Sequence, residues 1–340
     1  MSQSTRMLRI PFDELHRIFT AVLTRLGFSA ERADLCARLF AETSLDGVYS
    51  HGANRFPRFV AMIRSGAVDP HATPECISAF GALERWDGHR GPGNLNAHAA
   101  MQRALALSRA HGIGCVALRN TNHWMRGGSY GWQAANAGSI AICWTNTMPN
   151  LPAWGTREAS VGNNPLILAV PRRAGHLVLD MAMSQFSYGA LESYARRGEL
   201  LPVPGGFDAA DTLTRDPSAI EASQRPLPIG YWKGSGLALL LDAVAAITAL
   251  GNATHQLSRD PLQETTLSQM FLAIHPAALG ASADMNRMAD EIVASLHAAA
   301  PIEPGRPARY PGEQTLRLRE ENLRLGIPVD EAIWQQILTL

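Results

Sequence analysis

Four short segments of this chain concentrate side chains that can do chemistry. Tyr49-Ser50-His51-Gly52-Ala53-Asn54-Arg55-Phe56-Pro57-Arg58 brings an imidazole, a hydroxyl and two guanidinium groups together at a loop entering a helix. Histidine can give or take a proton near neutral pH, and arginine can clamp a carboxylate with two parallel hydrogen bonds. An unperturbed imidazole, with a pKa of about 6.5, would be in range to cycle at His51. A plainer reading is a capped helix start with solvated arginines. Arg119-Asn120-Thr121-Asn122-His123-Trp124-Met125-Arg126-Gly127-Gly128-Ser129-Tyr130 follows an apolar run, at a strand end of the kind where α/β proteins keep their ligands. In Leu179-Asp180-Met181-Ala182-Met183-Ser184 a carboxylate ends another apolar run. There it could orient or recharge an imidazole, hold a ribose hydroxyl, or cap the helix that follows, although Ser184 is better placed to cap. Pro228-Ile229-Gly230-Tyr231-Trp232-Lys233-Gly234-Ser235-Gly236 sets a lysine at the mouth of an apolar helix. Free N–H groups and an ammonium there would suit a phosphate, and a glycine-rich turn into a core helix is the alternative. Asn163-Asn164-Pro165 is a further polar turn that turn chemistry alone explains.

Composition narrows the classes. The 340 residues carry 30 basic and 30 acidic side chains, so no basic surplus serves a nucleic acid or an anionic membrane. All but one of the basic side chains are arginine, and Lys233 is the single lysine. The apolar fraction of 46% supports a large core. The cysteines Cys36, Cys76, Cys115 and Cys143 form no C-x-x-C pair and the histidines no H-E-x-x-H, so a metal site is not expected and a reducing compartment fits. No signal-peptide core follows the N-terminus. The longest apolar run, Leu237–Leu250, predicts a buried helix too short to span a bilayer. The nearest dinucleotide fingerprint, Gly91-Pro92-Gly93-Asn94-Leu95-Asn96, lacks its third glycine and follows Trp86–Arg90, which does not read as a buried parallel strand.

The elements that must position these groups follow from periodicity. Helices are expected after Asp13, over Glu31–Thr43 with Ser29 as cap, and over Asn54–Gly66. Strands at Gly114–Leu118, Ser139–Thr145, Pro165–Val170, Leu177–Met181 and Gln269–His275 alternate with helices near Gly93–His111, Gly127–Ala137, Gln185–Arg197, Gly236–Leu250 and Ala283–Ala300. Four prolines from Pro301 to Pro311 precede two short helices, Glu313–Arg324 and Asp330–Leu338. The organisation read from this is a helical part over residues 1–75, an α/β body over 76–300 and a helical return over 301–340 that docks on the first part.

Taken together, Ser50-His51-Gly52 with Arg55, Asn122-His123, the Asn163-Asn164-Pro165 turn, Asp180 and the Lys233-Gly234-Ser235-Gly236 helix entry resemble the malate/L-lactate dehydrogenase family that lacks a Rossmann fold. The likeness runs from about Pro11 to Leu340 and takes in Phe186-Ser187-Tyr188-Gly189, Pro311-Gly312-Glu313 and Gly326–Asp330. The resemblance implies an α/β fold with a mixed, largely antiparallel sheet and a helical domain from the two chain ends, which accounts for the missing Rossmann signature. It implies an NADH-dependent oxidoreductase, with NADPH also compatible, acting on a small 2-oxo acid in a bacterial cytoplasm. The partner it implies is a second copy of the chain, with no nucleic acid and no membrane. By analogy His51 protonates the substrate carbonyl, assisted by Asp180 or Ser50. Arg55 and Arg58 would bind the carboxylate, with Asn122 and His123 lining the pocket. The cofactor would lie on His176, Leu177, Val178, Leu179, Asp180, Met181 and Ala182, on Trp232 and Lys233, and on Gly312, Glu313 and Gln314. Met183 stands where the family usually has Thr, and Gln314 where close relatives have an acid; both bear on the choice between NADH and NADPH. A metal-dependent hydrolase using His51 and His123, or a ligand-binding regulator on an enzyme scaffold, are the readings from other classes.

Overall fold

A computed structural model of the chain describes residues 6–280 and 282–340. Its spine is a seven-stranded sheet, in spatial order Glu75–Phe80, Leu83–Asp87, Ile113–Thr121, Leu267–Ile274, Ile140–Thr145, Leu166–Val170 and Leu177–Met181. Leu83–Asp87 and Ile113–Thr121 pair in parallel and every other neighbouring pair is antiparallel. The mixed, largely antiparallel sheet expected from the resemblance is therefore present. Side chains alternate between the two faces of a strand. Val116 and Leu118 accordingly join a core with Met101, Tyr130 and Phe271 under helices Gly93–His111 and Gly128–Asn136. Ala117 turns the other way and packs with Ala245, Ala249 and Met270 under helix Trp232–Ala249.

Two expectations need correction here. The segment Leu83–Asp87 is a strand, and it does run parallel to Ile113–Thr121. Three of its five residues are charged, as its place beside the exposed edge strand Glu75–Phe80 allows, and this hid it from a search for apolar runs. The glycine turn after it is still filled by protein. A Cβ on Gly93 would lie 2.2 Å from the His123 carbonyl oxygen and 2.3 Å from that of Asn122, so the glycine lets two backbones touch. The second correction concerns Leu237–Leu250. The helix is Trp232–Ala249, and only one side of it is buried; Leu237, Leu240, Val244 and Ile247 form an exposed apolar stripe on the other.

The chain ends meet. Strand Met7–Ile10 pairs antiparallel with Ile327–Asp330. Trp334 and Ile337 of helix Glu331–Leu338 enter the same core as Phe19, Phe40 and Phe56 of the first three helices. Within it Phe19 stacks on Phe56 at 3.9 Å between ring centroids. Asn322 of helix Glu313–Leu325 is buried and donates Nδ2 to the Leu45 carbonyl at 2.9 Å and to the Tyr49 hydroxyl at 3.3 Å, which fixes the turn that carries His51. A small lobe with helices Tyr188–Arg197 and Pro217–Ser223 has its own core of Leu191, Leu201 and Ile220. Its first helix starts later than the sequence suggests. Ser187, not Ser184, caps it, accepting from the Ala190 amide at 3.2 Å.

Candidate active site

A cleft of about 810 Å³ opens between the helical part, the end of the sheet and the lobe. That volume suits a small-molecule site. Its first wall comes from the opening helices. Tyr49–His51 is a single 3-10 turn, and Arg55 directly precedes helix Phe56–Arg64. Ser50, His51, Arg55 and Arg58 all face the cleft. Ser50 Oγ lies 3.0 Å from His51 Nδ1. The His51 ring stacks on that of His123 at 5.7 Å, so two imidazoles from segments 72 residues apart share one wall.

The electrostatics of this wall depart from the sequence expectation. Burial, then His123 and Arg55, push the His51 pKa down from 6.5 to about 3. Burial with Arg55 and Arg58 lowers His123 as well. In the resting site both rings are neutral at pH 7. The Met125 amide donates to His123 Nδ1 at 3.0 Å, which leaves the proton of the neutral ring on Nε2.

The floor is the strand Leu177–Met181 with the turn at Gly312. The Val178 amide donates to the Pro311 carbonyl at 2.7 Å. Gly312 has φ 102°, and a Cβ there would come within 3.1 Å of both the His176 oxygen and the Val178 nitrogen. The two segments are thus pressed together by a residue that must be glycine. Val178, Leu179, Asp180, Ala182 and Gly312 line the cleft. Asp180 is exposed to the cleft at its floor, where the surrounding protein raises its pKa by desolvation against the opposing pull of Arg126 and the Gly128 amide. That amide donates to Asp180 Oδ2 at 2.8 Å.

Other expected residues sit elsewhere. Asp180 has no hydrogen bond to His51; Ser50 has that contact. Asn122 is buried behind the wall, donating to the Glu264 carbonyl at 2.6 Å, because its short side chain turns back to satisfy the loop. His176 is tied by its ring to the Arg172 amide and to Asn136, each at 3.0 Å. Glu313 holds the Tyr310 amide and His297 at 3.2 Å each, and Gln314 turns outward to Arg309. Trp232 and Lys233 are exposed outside this cleft, the ammonium 6.0 Å from the Trp232 ring, at the start of the half-exposed helix. Asn163 and Asn164 serve structure: Asn163 Oδ1 accepts from the Ser184 amide at 2.7 Å, and Asn164 Oδ1 from the Thr147 amide at 2.9 Å.

Two acids at the site, Glu264 and Asp46, lie outside every segment singled out in the sequence, and Arg126 has no expected role in its own. Glu264 is buried and pairs with Arg55. Arg126 is buried and pairs with Asp46, which Arg319 also holds at 2.7 Å. Arg126 Nε is buried without a hydrogen-bond partner, close to Asp180. Glu264 is 209 positions from Arg55, and no local pattern could have joined them.

The floor fits a nicotinamide nucleotide. Asp180 offers an acceptor for a hydroxyl, Arg126 keeps a buried donor free, and the cradle at Gly312 would be filled by any side chain. Among the described residues no group of three or more His, Cys, Asp or Glu is arranged to hold a metal.

The sequence profile of the family described as malate/L-lactate dehydrogenase matches residues 10–338. The chain belongs to that family, whose members are oxidoreductases using a nicotinamide cofactor. It is 46% identical over 333 residues to the 2,3-diketo-L-gulonate reductase of Klebsiella pneumoniae, covering 98% of this chain and 100% of that one. Its identity to the enzyme of the same name from Citrobacter koseri is 45% over the same span, with the same coverage of both chains. Among solved structures, the sulfolactate dehydrogenase of Methanocaldococcus jannaschii superposes with a TM-score of 0.89 at 27% identity, over 97% of this chain and 95% of that one.

Proposed function

We propose that the chain reduces 2,3-diketo-L-gulonate to 3-keto-L-gulonate with NADH, NADPH serving as well, as a homodimer in the cytoplasm. The observation that carries this reading is the wall formed by Ser50, His51, Arg55, Arg58 and His123, facing the Asp180 floor across one cleft. The full-length likeness to the two diketogulonate reductases supplies the substrate.

A nicotinamide cofactor held on the Asp180–Gly312 floor would supply the hydride that reduces the C2 carbonyl. Arg55 and Arg58 hold the C1 carboxylate. His51 gives its proton to the developing alkoxide, and Ser50 on Nδ1 keeps the ring in place. His51 rests neutral, so this role requires it to take up a proton as the substrate binds. The entering carboxylate offsets the charge of Arg55, and the growing alkoxide attracts a proton, so both raise the affinity of the ring for H⁺. Asp180 holds a ribose hydroxyl. The lobe turns Glu192, Glu221 and Gln224 into the cleft. Carboxylates there accept hydrogen bonds from sugar hydroxyls and repel a second substrate carboxylate, favouring a polyhydroxy monoacid over oxaloacetate. A homodimer formed through the apolar stripe of helix Trp232–Ala249 would cover that stripe and bring Trp232 and Lys233 to the subunit boundary.

An NADH-oxidation panel over 2,3-diketogulonate, pyruvate, oxaloacetate and a cyclic imine, repeated with NADPH, tests the reading. Diketogulonate should give the highest kcat/KM, and a higher value for any other substrate would overturn the assignment. His51→Ala should lose about 10²–10⁴-fold in kcat while NADH affinity is kept; near-full turnover would remove His51 from the proton-donor role.

A further inference from the structure

Glu264 follows the short turn Pro261–Gln263 and leads into strand Leu267–Ile274. It is 7% exposed and faces the cleft. One carboxylate oxygen pairs with Arg55 Nη2, and the other lies 4.0 Å from His123 Nε2. Its carbonyl accepts from Asn122 Nδ2 at 2.6 Å and from the His123 amide at 3.3 Å. Arg55 and the Asn122-His123 pair reach the site from separate parts of the chain and converge on this residue.

The charge around His51 makes the carboxylate consequential. Arg55 faces the ring from the start of helix Phe56–Arg64, with Arg58 lining the same cleft, and His123 and Arg126 face it from the loop after Ile113–Thr121. Asp180 lies on the floor and Glu192 on the lobe side of the same cleft, while Ser50 touches the ring from its own turn. Asp46 neutralises Arg126 from behind. Glu264 is the acid that pairs Arg55 within the wall, so without it the imidazole would face that guanidinium uncompensated.

We propose that Glu264 is a positioning residue: its carboxylate is the fixed counter-ion of Arg55, holding Arg55 and His123 in register and keeping His51 able to take up a proton when the oxo acid enters. This rests on His51 being the proton donor of the proposed reaction. Arg55 shares one edge with Glu264 and keeps the remainder of its guanidinium for the substrate carboxylate.

The test is the pH profile of oxo-acid reduction by the full chain and by Glu264→Gln. Reduction needs the imidazolium, so its rate falls as pH rises through the pKa of the loaded site. Gln keeps an acceptor for Arg55 but removes the negative charge, which lowers that pKa. The descending limb should move down by about one pH unit, giving an approximately tenfold loss above the limb and a wild-type rate below it. KM for the oxo acid should not rise. A purely structural role would instead lower the rate by one factor at every pH. Glu264→Asp, which keeps the charge but draws it back from Arg55, should place the limb between the other two, and it decides the question alone if Glu264→Gln does not fold. A limb that coincides with wild type in the folded variant overturns the proposal.

Calorimetric titration of oxamate into the NADH complex gives a reading independent of turnover. Glu264→Gln should bind oxamate about tenfold tighter, because Arg55 has lost its internal anion. Unchanged or weaker binding counts against the counter-ion role. If wild type reduces none of the oxo acids tested, the proposed function fails, and the oxamate comparison still decides the role of Glu264.

Discussion

His51 shows how far a residue's chemistry depends on its surroundings. Residue type and spacing mark it as a proton carrier, and an ordinary imidazole would titrate at 6.5. In the fold, burial first, then His123, Arg55 and Arg126, bring it to about 3. The unfolded chain therefore binds this proton first. The stabilising effect of keeping the ring neutral is complete above the unfolded pKa of 6.5 and is lost as pH falls through that value towards 3. His123 is shifted the same way and adds to the loss. His51→Gln should thus flatten the decline of Tm between about pH 6.5 and 4, read from thermal melts across that range. A decline as steep as in wild type would show that the ring is not held neutral. The neighbours responsible were only half visible in the sequence. Arg55 lies in the same segment as His51 and His123 in a second quoted segment, whereas Glu264, which pulls the other way, sits in a stretch with no signature and becomes a site residue only by long-range ion pairing.

At the scale of elements, the floor depends on one turn pressed against one strand. Leu177–Met181 is legible as an apolar run closed by a carboxylate, and Pro311-Gly312 as a break before a helix. Their contact is not legible, because it joins positions more than a hundred residues apart through the Val178–Pro311 hydrogen bond and the bare Cα of Gly312. Gly312→Ala would place a Cβ 3.1 Å from two backbone atoms at a φ of 102°, a strain of about 1–3 kcal/mol. NADH affinity, followed by nucleotide fluorescence, should fall by about tenfold while far-UV circular dichroism stays unchanged. Wild-type affinity would mean that the turn does not shape the cofactor floor. The strand Leu83–Asp87 makes the complementary point. Its only outer neighbour is the exposed edge strand Glu75–Phe80, so it need not be apolar throughout and hydrophobic periodicity misses it.

At the scale of the whole molecule, the apolar helix Trp232–Ala249 is the feature that a single chain leaves unresolved. Leu237, Leu240, Val244 and Ile247 repeat at helical spacing on its outer face, and Leu240 and Ile247 are 62% and 70% exposed. A stripe of this kind marks an interaction surface more often than a solvent face. Sedimentation equilibrium should give a dimer for the wild-type chain and a monomer for Leu240→Glu. A monomeric wild type would instead leave Lys233 with no neighbour to bring it to a site.

The sequence by itself determined the family, most of the helices and strands, and the chemical types present at the site. Those are local properties: hydrophobic period, turn residues and short strings of polar groups. Only the tertiary structure decided which of these groups meet. It put Ser50 rather than Asp180 on His51, turned Asn122 away from the cleft, left Lys233 outside it, and brought Glu264 to Arg55. It also decided that the imidazoles rest neutral, since a pKa depends on burial and on charges that lie close in space while far apart along the chain.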